Sequence, residues 1–127
     1  MNKVQNFLKL GFYLVNLIFI IFYLYPGSIF GCFLYNDCSI QPQITRDFII
    51  SSNHLYIFTI LSTLGMAVYK NKKKIKLLIL YLFLLSIILE LLHIIIPNRS
   101  FELRDLFGNI SGVILIIIIY KVKSKYV

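Results

Sequence analysis

The chain has 127 residues, of which 59% are hydrophobic, and it carries a formal net charge of +8 at pH 7. Soluble domains are usually about 45–50% apolar, so an ordinary soluble fold is excluded and much of the surface is predicted to face lipid. The basic residues flank apolar runs instead of covering one soluble face, and we therefore predict no nucleic-acid binding.

Four apolar segments follow one another along the chain, each close to the length that a helix needs to cross a bilayer. Strands are disfavoured because the edges of an open sheet cannot satisfy their backbone groups in lipid. The sequence therefore predicts one all-α membrane domain over residues 1–127. We expect an antiparallel bundle of four transmembrane helices at about residues 7–25, 48–69, 75–96 and 105–122.

The positions of lysine and arginine predict the orientation of this bundle. Ten of the thirteen basic residues lie near the two termini or between the second and third helices. We therefore predict that both termini are cytoplasmic and that loops 26–47 and 97–104 are extracytoplasmic. Cys32 and Cys38 fall in the first of these loops, where a disulfide can persist, with two free thiols as the alternative.

The stretch from Glu90 to Gly112 concentrates polar residues between two apolar runs. A rise of about 1.5 Å per helical residue places His54, Glu90 and Asn109 at one depth, roughly 6–9 Å inside the outer boundary. Ionisable groups in membrane helices usually face a protein interior or a cavity. These side chains therefore predict one shared polar pocket.

The spacing of the polar residues supports such a pocket. Glu90 and His93 are three positions apart, and Asp105 and Asn109 are four apart, so each pair lies on one helix face. Pro97 is expected to end the third helix, and the turn that follows it would bring the two faces together.

Two glycines and two arginines complete the stretch. Gly108 and Gly112 form a small-xxx-small pair, which predicts close packing against another helix. Arg99 and Arg104 can pair with the acidic residues of the stretch or with an anionic ligand, because a planar guanidinium fits carboxylate and phosphate. The predicted ligand-binding residues are His54, Glu90, His93, Arg99, Arg104, Asp105 and Asn109.

This stretch resembles the VanZ-like family of bacterial membrane proteins, which is associated with teicoplanin resistance. That family shows a glutamate at a helix end, a glutamine soon after it, a Pro/Arg turn, and D-x-x-x-N-x-x-G opening the last helix. His93 stands where the family usually has glutamine. His54 would match a histidine of the second helix, although Ile50 and Ser51 replace the Asp and Lys of the family's pattern. The matching residues are Glu90, Pro97, Arg99, Asp105, Asn109 and Gly112.

The resemblance implies a multi-pass protein of the bacterial plasma membrane that acts at the cell envelope, but it transfers no established catalytic residue. A binding protein would engage membrane lipid, an anionic lipid-linked envelope precursor or a partner membrane protein, and would lower teicoplanin susceptibility. An enzyme would use Glu90 with His93 or His54, and Asp105 is a further catalytic candidate. A scaffold would use the polar residues only to lock the helices. In the enzyme the Glu90–His93 pair with His54 and Asp105 could hold a metal, but the spacing is not a strong metal signature, so no metal or cofactor is predicted.

Overall fold

The computed structural model describes residues 2–126, and within that range the chain is helical with no β-strand. Three helices are long and apolar enough to cross a membrane, namely the first, the fourth and the fifth. The all-α membrane class predicted from the sequence is confirmed at this level. The helices are α1 (Lys3–Leu24), α2 (Ile29–Tyr35), α3 (Ser52–Val68), α4 (Lys72–Leu92) and α5 (Leu103–Tyr126).

α1 begins four residues before the predicted boundary because a polar residue caps it. The side chain of Asn2 accepts a hydrogen bond from the Gln5 N–H at 3.0 Å. Phe12 and Tyr23 point into the protein, whereas most other apolar side chains of α1 stay exposed. A helix that exposes this much apolar surface needs an apolar environment, as its predicted membrane location supplies.

The loop after α1 contains α2, a seven-residue helix that hydropathy did not indicate. Ser28 caps its start by accepting a hydrogen bond from the Gly31 N–H, and Asn36 ends it in the left-handed conformation. Cys32 and Cys38 are joined in a disulfide, with Cα atoms 4.1 Å apart. The bridge fastens α2 to the turn that follows it.

α3 begins at Ser52, four residues later than predicted, because the residues before it serve as its cap. Asp47 Oδ1 accepts a hydrogen bond from the Ser52 N–H at 2.9 Å. The Ser52 hydroxyl donates to the Thr45 carbonyl at 2.6 Å. The resulting helix has 17 residues and is the shortest of the four that build the core.

α3 packs most extensively against α5, and the two glycines of α5 allow this. A Cβ atom added to Gly108 would lie 2.7 Å from the Ser51 carbonyl oxygen. A Cβ atom added to Gly112 would lie 2.7 Å from the Leu55 carbonyl oxygen and 2.9 Å from Phe58 Cβ. Side chains larger than hydrogen would push the two backbones apart.

α4 ends at Leu92, four residues before the predicted boundary. The next residues form a tight turn in which the Ile94 N–H donates to the Leu91 carbonyl at 3.1 Å. Pro97 has no N–H to donate to the His93 carbonyl, and its ring would clash with that carbonyl in a helix, so α4 does not continue through this turn. Asn98 has φ 60° and turns the chain towards α5, which begins two residues before the predicted position.

The four core helices share two chemically different ends. At the end called here the cluster end, α1 and α4 finish where α3 and α5 begin, and Tyr23 of α1 contacts His54 of α3. At the opposite end, called the lysine end, Gln5 of α1 donates to the Val68 carbonyl of α3. An apolar core lies between the ends and includes Phe12, Phe58, Leu61, Leu78, Leu82 and Val113.

Candidate functional site

Six polar side chains from all four core helices meet at the cluster end and form what we call the polar cluster. Its interior is closed, since Glu90 and Asn109 are 0% exposed and His93 is 2% exposed. Its edge is partly open, since the side chains of His54 and Asp105 are 14% and 20% exposed. The members are Tyr23, His54, Glu90, His93, Asp105 and Asn109.

Asn109 fixes the direction of the hydrogen bonds at the centre. Its amide nitrogen donates to the Ser86 carbonyl at 3.1 Å, so its oxygen Oδ1 must face the other side. There Oδ1 accepts a hydrogen bond from the Tyr23 hydroxyl at 2.6 Å. The Tyr23 hydroxyl therefore donates its hydrogen to Asn109, and its oxygen can only accept further hydrogen bonds.

His54 is held by these same two groups. Its Nδ1 lies 3.0 Å from the Tyr23 hydroxyl oxygen and 3.0 Å from Asn109 Oδ1. Because both oxygens act as acceptors, the network assigns the Nδ1 hydrogen to His54 as a donor. The other ring nitrogen, Nε2, lies 3.4 Å from Asp105 Oδ2. In neutral His54 the lone pair of Nε2 therefore faces a carboxylate oxygen.

His93 and Glu90 form a second such pair behind the first. His93 Nε2 lies 2.9 Å from the Tyr23 carbonyl oxygen, which can only accept, so Nε2 carries the hydrogen. Its Nδ1 lies 3.4 Å from Glu90 Oε2. The Tyr23 and His93 rings stack with centroids 5.8 Å apart, which holds the imidazole in place.

The two oxygens of Glu90 have different surroundings. Oε1 accepts a hydrogen bond from the Glu102 N–H at 3.0 Å, so α4 caps the start of α5. Oε2 is buried and has no hydrogen-bond partner among the described residues. Oε2 lies 3.9 Å from His54 Nδ1 and 3.4 Å from His93 Nδ1. One oxygen of Glu90 therefore has a structural role, and the other faces the imidazoles without a bonded donor.

The arginines do not take the positions expected for partners of the acidic pair. Across residues 2–126, neither arginine forms an ion pair with Glu90 or Asp105. Arg99 instead donates to the carbonyls of Phe22 at 2.8 Å and Tyr25 at 3.1 Å. Partial burial lowers the pKa of Arg99 from its ordinary value, although nearby acidic groups oppose this.

Arg104 is the more accessible of the two arginines. Its side chain is 52% exposed and lies 3.7 Å from Asp47 Oδ2. An exposed pair at this separation is weak, so the guanidinium can exchange Asp47 for another anion. Arg104 directly precedes Asp105 in the sequence and is the positive group nearest to it along the chain.

The structure brings together His54, Glu90, His93, Asp105 and Asn109, as their depth and spacing predicted. It adds Tyr23, which sequence reasoning missed because a tyrosine does not interrupt an apolar run. The one available signal was its position, two residues before the end of the first apolar segment. The predicted outer pocket does not coincide with the groove of about 470 Å³ near Tyr69, which lies at the lysine end.

The arrangement places two histidine–carboxylate pairs next to each other in a closed, largely apolar setting. In each pair one imidazole nitrogen donates its hydrogen to the protein. The other nitrogen and the carboxylate oxygen that faces it can therefore bind a proton or a metal ion between them. Such pairs can transfer protons or hold a metal ion, and Asp105 and His54 are the members within reach of a ligand. His54, Glu90 and Asp105 each offer one atom, and these atoms lie within 4.8 Å of one another.

The sequence comparisons agree with this architecture. The model of the family described as VanZ/LLP1 matches residues 10–124. The chain belongs to the VanZ/LLP1 family. No curated protein and no solved structure matches it. The match includes all six residues of the polar cluster, both cysteines and both arginines of the hairpin between α4 and α5.

Proposed function

We propose that this VanZ/LLP1 protein binds an anionic, lipid-linked component of the bacterial cell envelope at the cluster end and thereby lowers susceptibility to glycopeptides such as teicoplanin. The observation that carries the proposal is the open edge of the polar cluster. His54 and Asp105 lie 3.4 Å apart there, and the exposed Arg104, next to Asp105 in the sequence, lies against Asp47 just before α3. A buried acid–histidine cluster with a reachable edge is typical of a ligand site.

The membrane topology in this proposal has four crossings. α3 has 17 residues, which is about 26 Å of helix and the lower limit for a span. With α3 counted, the lysine-rich segments fall on one side and the polar cluster on the other. Both termini are then cytoplasmic, and the cluster opens towards the outer surface of the plasma membrane, where envelope precursors are exposed.

Each residue at the edge has a distinct part in binding. Arg104 contacts the phosphate or carboxylate of the ligand, replacing its weak contact with Asp47. His54 and Asp105 form hydrogen bonds with polar groups of the ligand that lie next to its phosphate or carboxylate. Arg99 and Asn109 have the part of holding the surrounding helices, because Arg99 donates from Nε and Nη2 to carbonyl groups at the end of α1 and Asn109 donates from Nδ2 to the Ser86 carbonyl.

The test is a susceptibility assay in a bacterium that expresses the chain. We expect Asp105→Asn to remove most of the protection against teicoplanin, since the amide keeps the shape but loses the charge that faces His54. Glu102→Gln, which changes another acid of the same hairpin, serves as the matched control and should retain protection. Full protection by a well-expressed Asp105→Asn protein with an unchanged melting temperature would refute the proposal.

An enzymatic function is the second candidate, favoured by the assigned hydrogen positions. The lone pair of His54 Nε2 is available at the open edge, and Glu90 with His93 lies behind it. That set can take a proton from a hydroxyl group of a lipid-linked substrate. Lipid extracts incubated with the purified protein and followed by mass spectrometry would separate the two functions, because only an enzyme changes the mass of the lipid.

A scaffold is the third candidate, because the polar cluster also joins four helices. Thermal unfolding in detergent separates this function from the first two. If Glu90→Gln and Asp105→Asn both unfold the protein, the cluster is architectural. If Asp105→Asn leaves the melting temperature unchanged and removes protection, the edge of the cluster serves a ligand.

A further inference from the structure

We propose that His54, Glu90 and Asp105 bind one divalent transition-metal ion, with zinc as the ion to test first. The proposal rests on the same polar cluster as the proposed function and names a cofactor for it. The three residues come from α3, α4 and α5, and no spacing in the sequence reveals them as a metal motif. Their donor atoms all lie within 4.8 Å of one another.

The distances suit an ion bound at the edge of the cluster. Zinc binds imidazole nitrogen and carboxylate oxygen at about 2.0–2.2 Å, so two ligand atoms of a tetrahedral site lie roughly 3.4 Å apart. His54 Nε2 and Asp105 Oδ2 are 3.4 Å apart. Glu90, the second carboxylate, has to move towards the His54–Asp105 edge: its Oε2 lies 3.9 Å from His54 Nδ1, and the three donor atoms lie within 4.8 Å of one another, whereas ligand atoms of one ion lie at most about 4.3 Å apart.

The second observation is the unsatisfied oxygen of Glu90. Oε2 is buried, has no hydrogen-bond partner within residues 2–126, and belongs to a side chain that is 0% exposed. An ionised carboxylate buried without a partner is costly, and a bound cation removes that cost. A proton on His93 Nδ1, 3.4 Å away, would satisfy Oε2 alone, and a proton shared by His54 and Asp105 would leave it unbonded; one metal ion would serve all three acceptors.

The third observation is the orientation of His54. Histidine ligands usually donate their second N–H to an oxygen of the protein, which fixes the ring and the tautomer. His54 does so through Nδ1, which faces Asn109 Oδ1 and the Tyr23 hydroxyl at 3.0 Å each. Nε2 is thereby left to bind the ion. Tyr23 and Asn109 are positioning residues in this arrangement.

The ligand set also indicates what the ion would do. One nitrogen and two oxygens leave at least one coordination position for a ligand, as in metal sites that act on substrates. A ligand would reach the ion from the partly open edge, where His54 and Asp105 are exposed. Phosphate is a strong partner for such an ion, so the metal and Arg104 would hold the two sides of one anionic head group.

The test measures metal content on the full-length protein in detergent, after equilibration with zinc chloride and removal of free ion. We expect about one zinc per chain, and a roughly tenfold or greater loss of affinity in Asp105→Asn and His54→Gln. Glu102→Gln is the matched control and should keep the zinc. Replacement of zinc by Co²⁺ should give visible absorption bands, which a folded protein without a site would lack.

The outcomes separate this proposal from the proposed function. Wild-type protein that is folded by circular dichroism and binds neither zinc nor Co²⁺ overturns the metal site. If that protein still protects against teicoplanin and Asp105→Asn does not, the proposed function survives alone. If zinc binds stoichiometrically and Asp105→Asn keeps full protection, the metal site stands and the proposed function fails.

Discussion

The cluster end and the lysine end of the protein differ in how they treat polar side chains. At the cluster end, Asn109 is fully buried and each of its polar groups has a partner. About midway along α1, Asn16 borders the open groove that extends to Tyr69 at the lysine end. It donates to the Tyr81 hydroxyl at 2.6 Å, but its oxygen has no partner among residues 2–126. The cluster end therefore specifies one arrangement of the helices, whereas the lysine end tolerates empty volume and mainly supplies positive charge.

The largest expected difference in stability is between substitutions of Asn109 and Asn16. Asn109→Leu removes the acceptor of the Tyr23 hydroxyl hydrogen and the side-chain donor to the Ser86 carbonyl, and each buried polar group that loses such a bond costs about 1–3 kcal/mol. Asn16→Leu should cost less, because it breaks one hydrogen bond to the Tyr81 hydroxyl and also removes the unpartnered oxygen. Thermal unfolding in detergent measures both, and equal losses would contradict the comparison.

A pair of glycines tests the packing in the same way. Gly112→Ala places a Cβ 2.7 Å from the Leu55 carbonyl oxygen, so α3 and α5 must separate at a cost of about 1–3 kcal/mol. A Cβ on Gly11 of α1 meets nothing within 4 Å, so Gly11→Ala should be neutral or stabilising by up to about 1 kcal/mol. Chemical or thermal denaturation would show the difference, and a neutral Gly112→Ala would contradict the close approach.

Arg99 and Arg104 both lie at the cluster end, and their substitutions should differ in their cost in stability. Arg99→Ala removes two donors from the carbonyls of Phe22 and Tyr25 and should cost about 1–2 kcal/mol. Arg104→Ala loses only an exposed pair with Asp47, worth about 0–1 kcal/mol. Stability assays should therefore rank Arg99→Ala as the more damaging change. Teicoplanin protection should show the reverse order among folded variants, because only Arg104 is proposed to meet the ligand.

The smallest effect is a pH dependence in the exposed loop. The Ser39 hydroxyl and N–H donate to Asp37 Oδ1 and lower the pKa of Asp37. A lowered pKa in the folded state gives stability that is present above the ordinary value and lost as pH falls through the lowered one. Ser39→Ala should move the pKa of Asp37 upward, as followed by the NMR chemical shift of its carboxyl carbon. An unchanged titration would show that the hydroxyl is not the cause.

The number of apolar segments and the depth of the polar residues could be read from the sequence, because both follow from helix geometry. His54, Glu90 and Asn109 were placed at one depth by counting residues, and they meet in the structure. The helix boundaries were less accurate, since the start of α3 depends on Asp47 as a cap and the end of α4 on the turn before Pro97. A hydropathy profile shows neither the cap nor the turn.

The arginines show a second limit. The sequence shows which residues are charged but not which backbone groups lie nearby, so Arg99 was predicted to pair with an acidic residue or an anionic ligand. Its partners are backbone carbonyls near the end of α1, and every residue in the chain has a carbonyl. Tyr23 was missed for a similar reason, because its role depends on a hydroxyl that only tertiary contacts distinguish from those of the other eight tyrosines.

The contacts at the end of α1 also set the order in which the protein can be built. The carbonyls of Phe22, Tyr23 and Tyr25 receive their donors from His93 and Arg99, about seventy residues later in the chain. A helix leaves its last carbonyls without internal partners. Until the hairpin between α4 and α5 has been synthesised, the end of α1 therefore lacks these donors. A chain that stops before His93 would leave the three carbonyls without them.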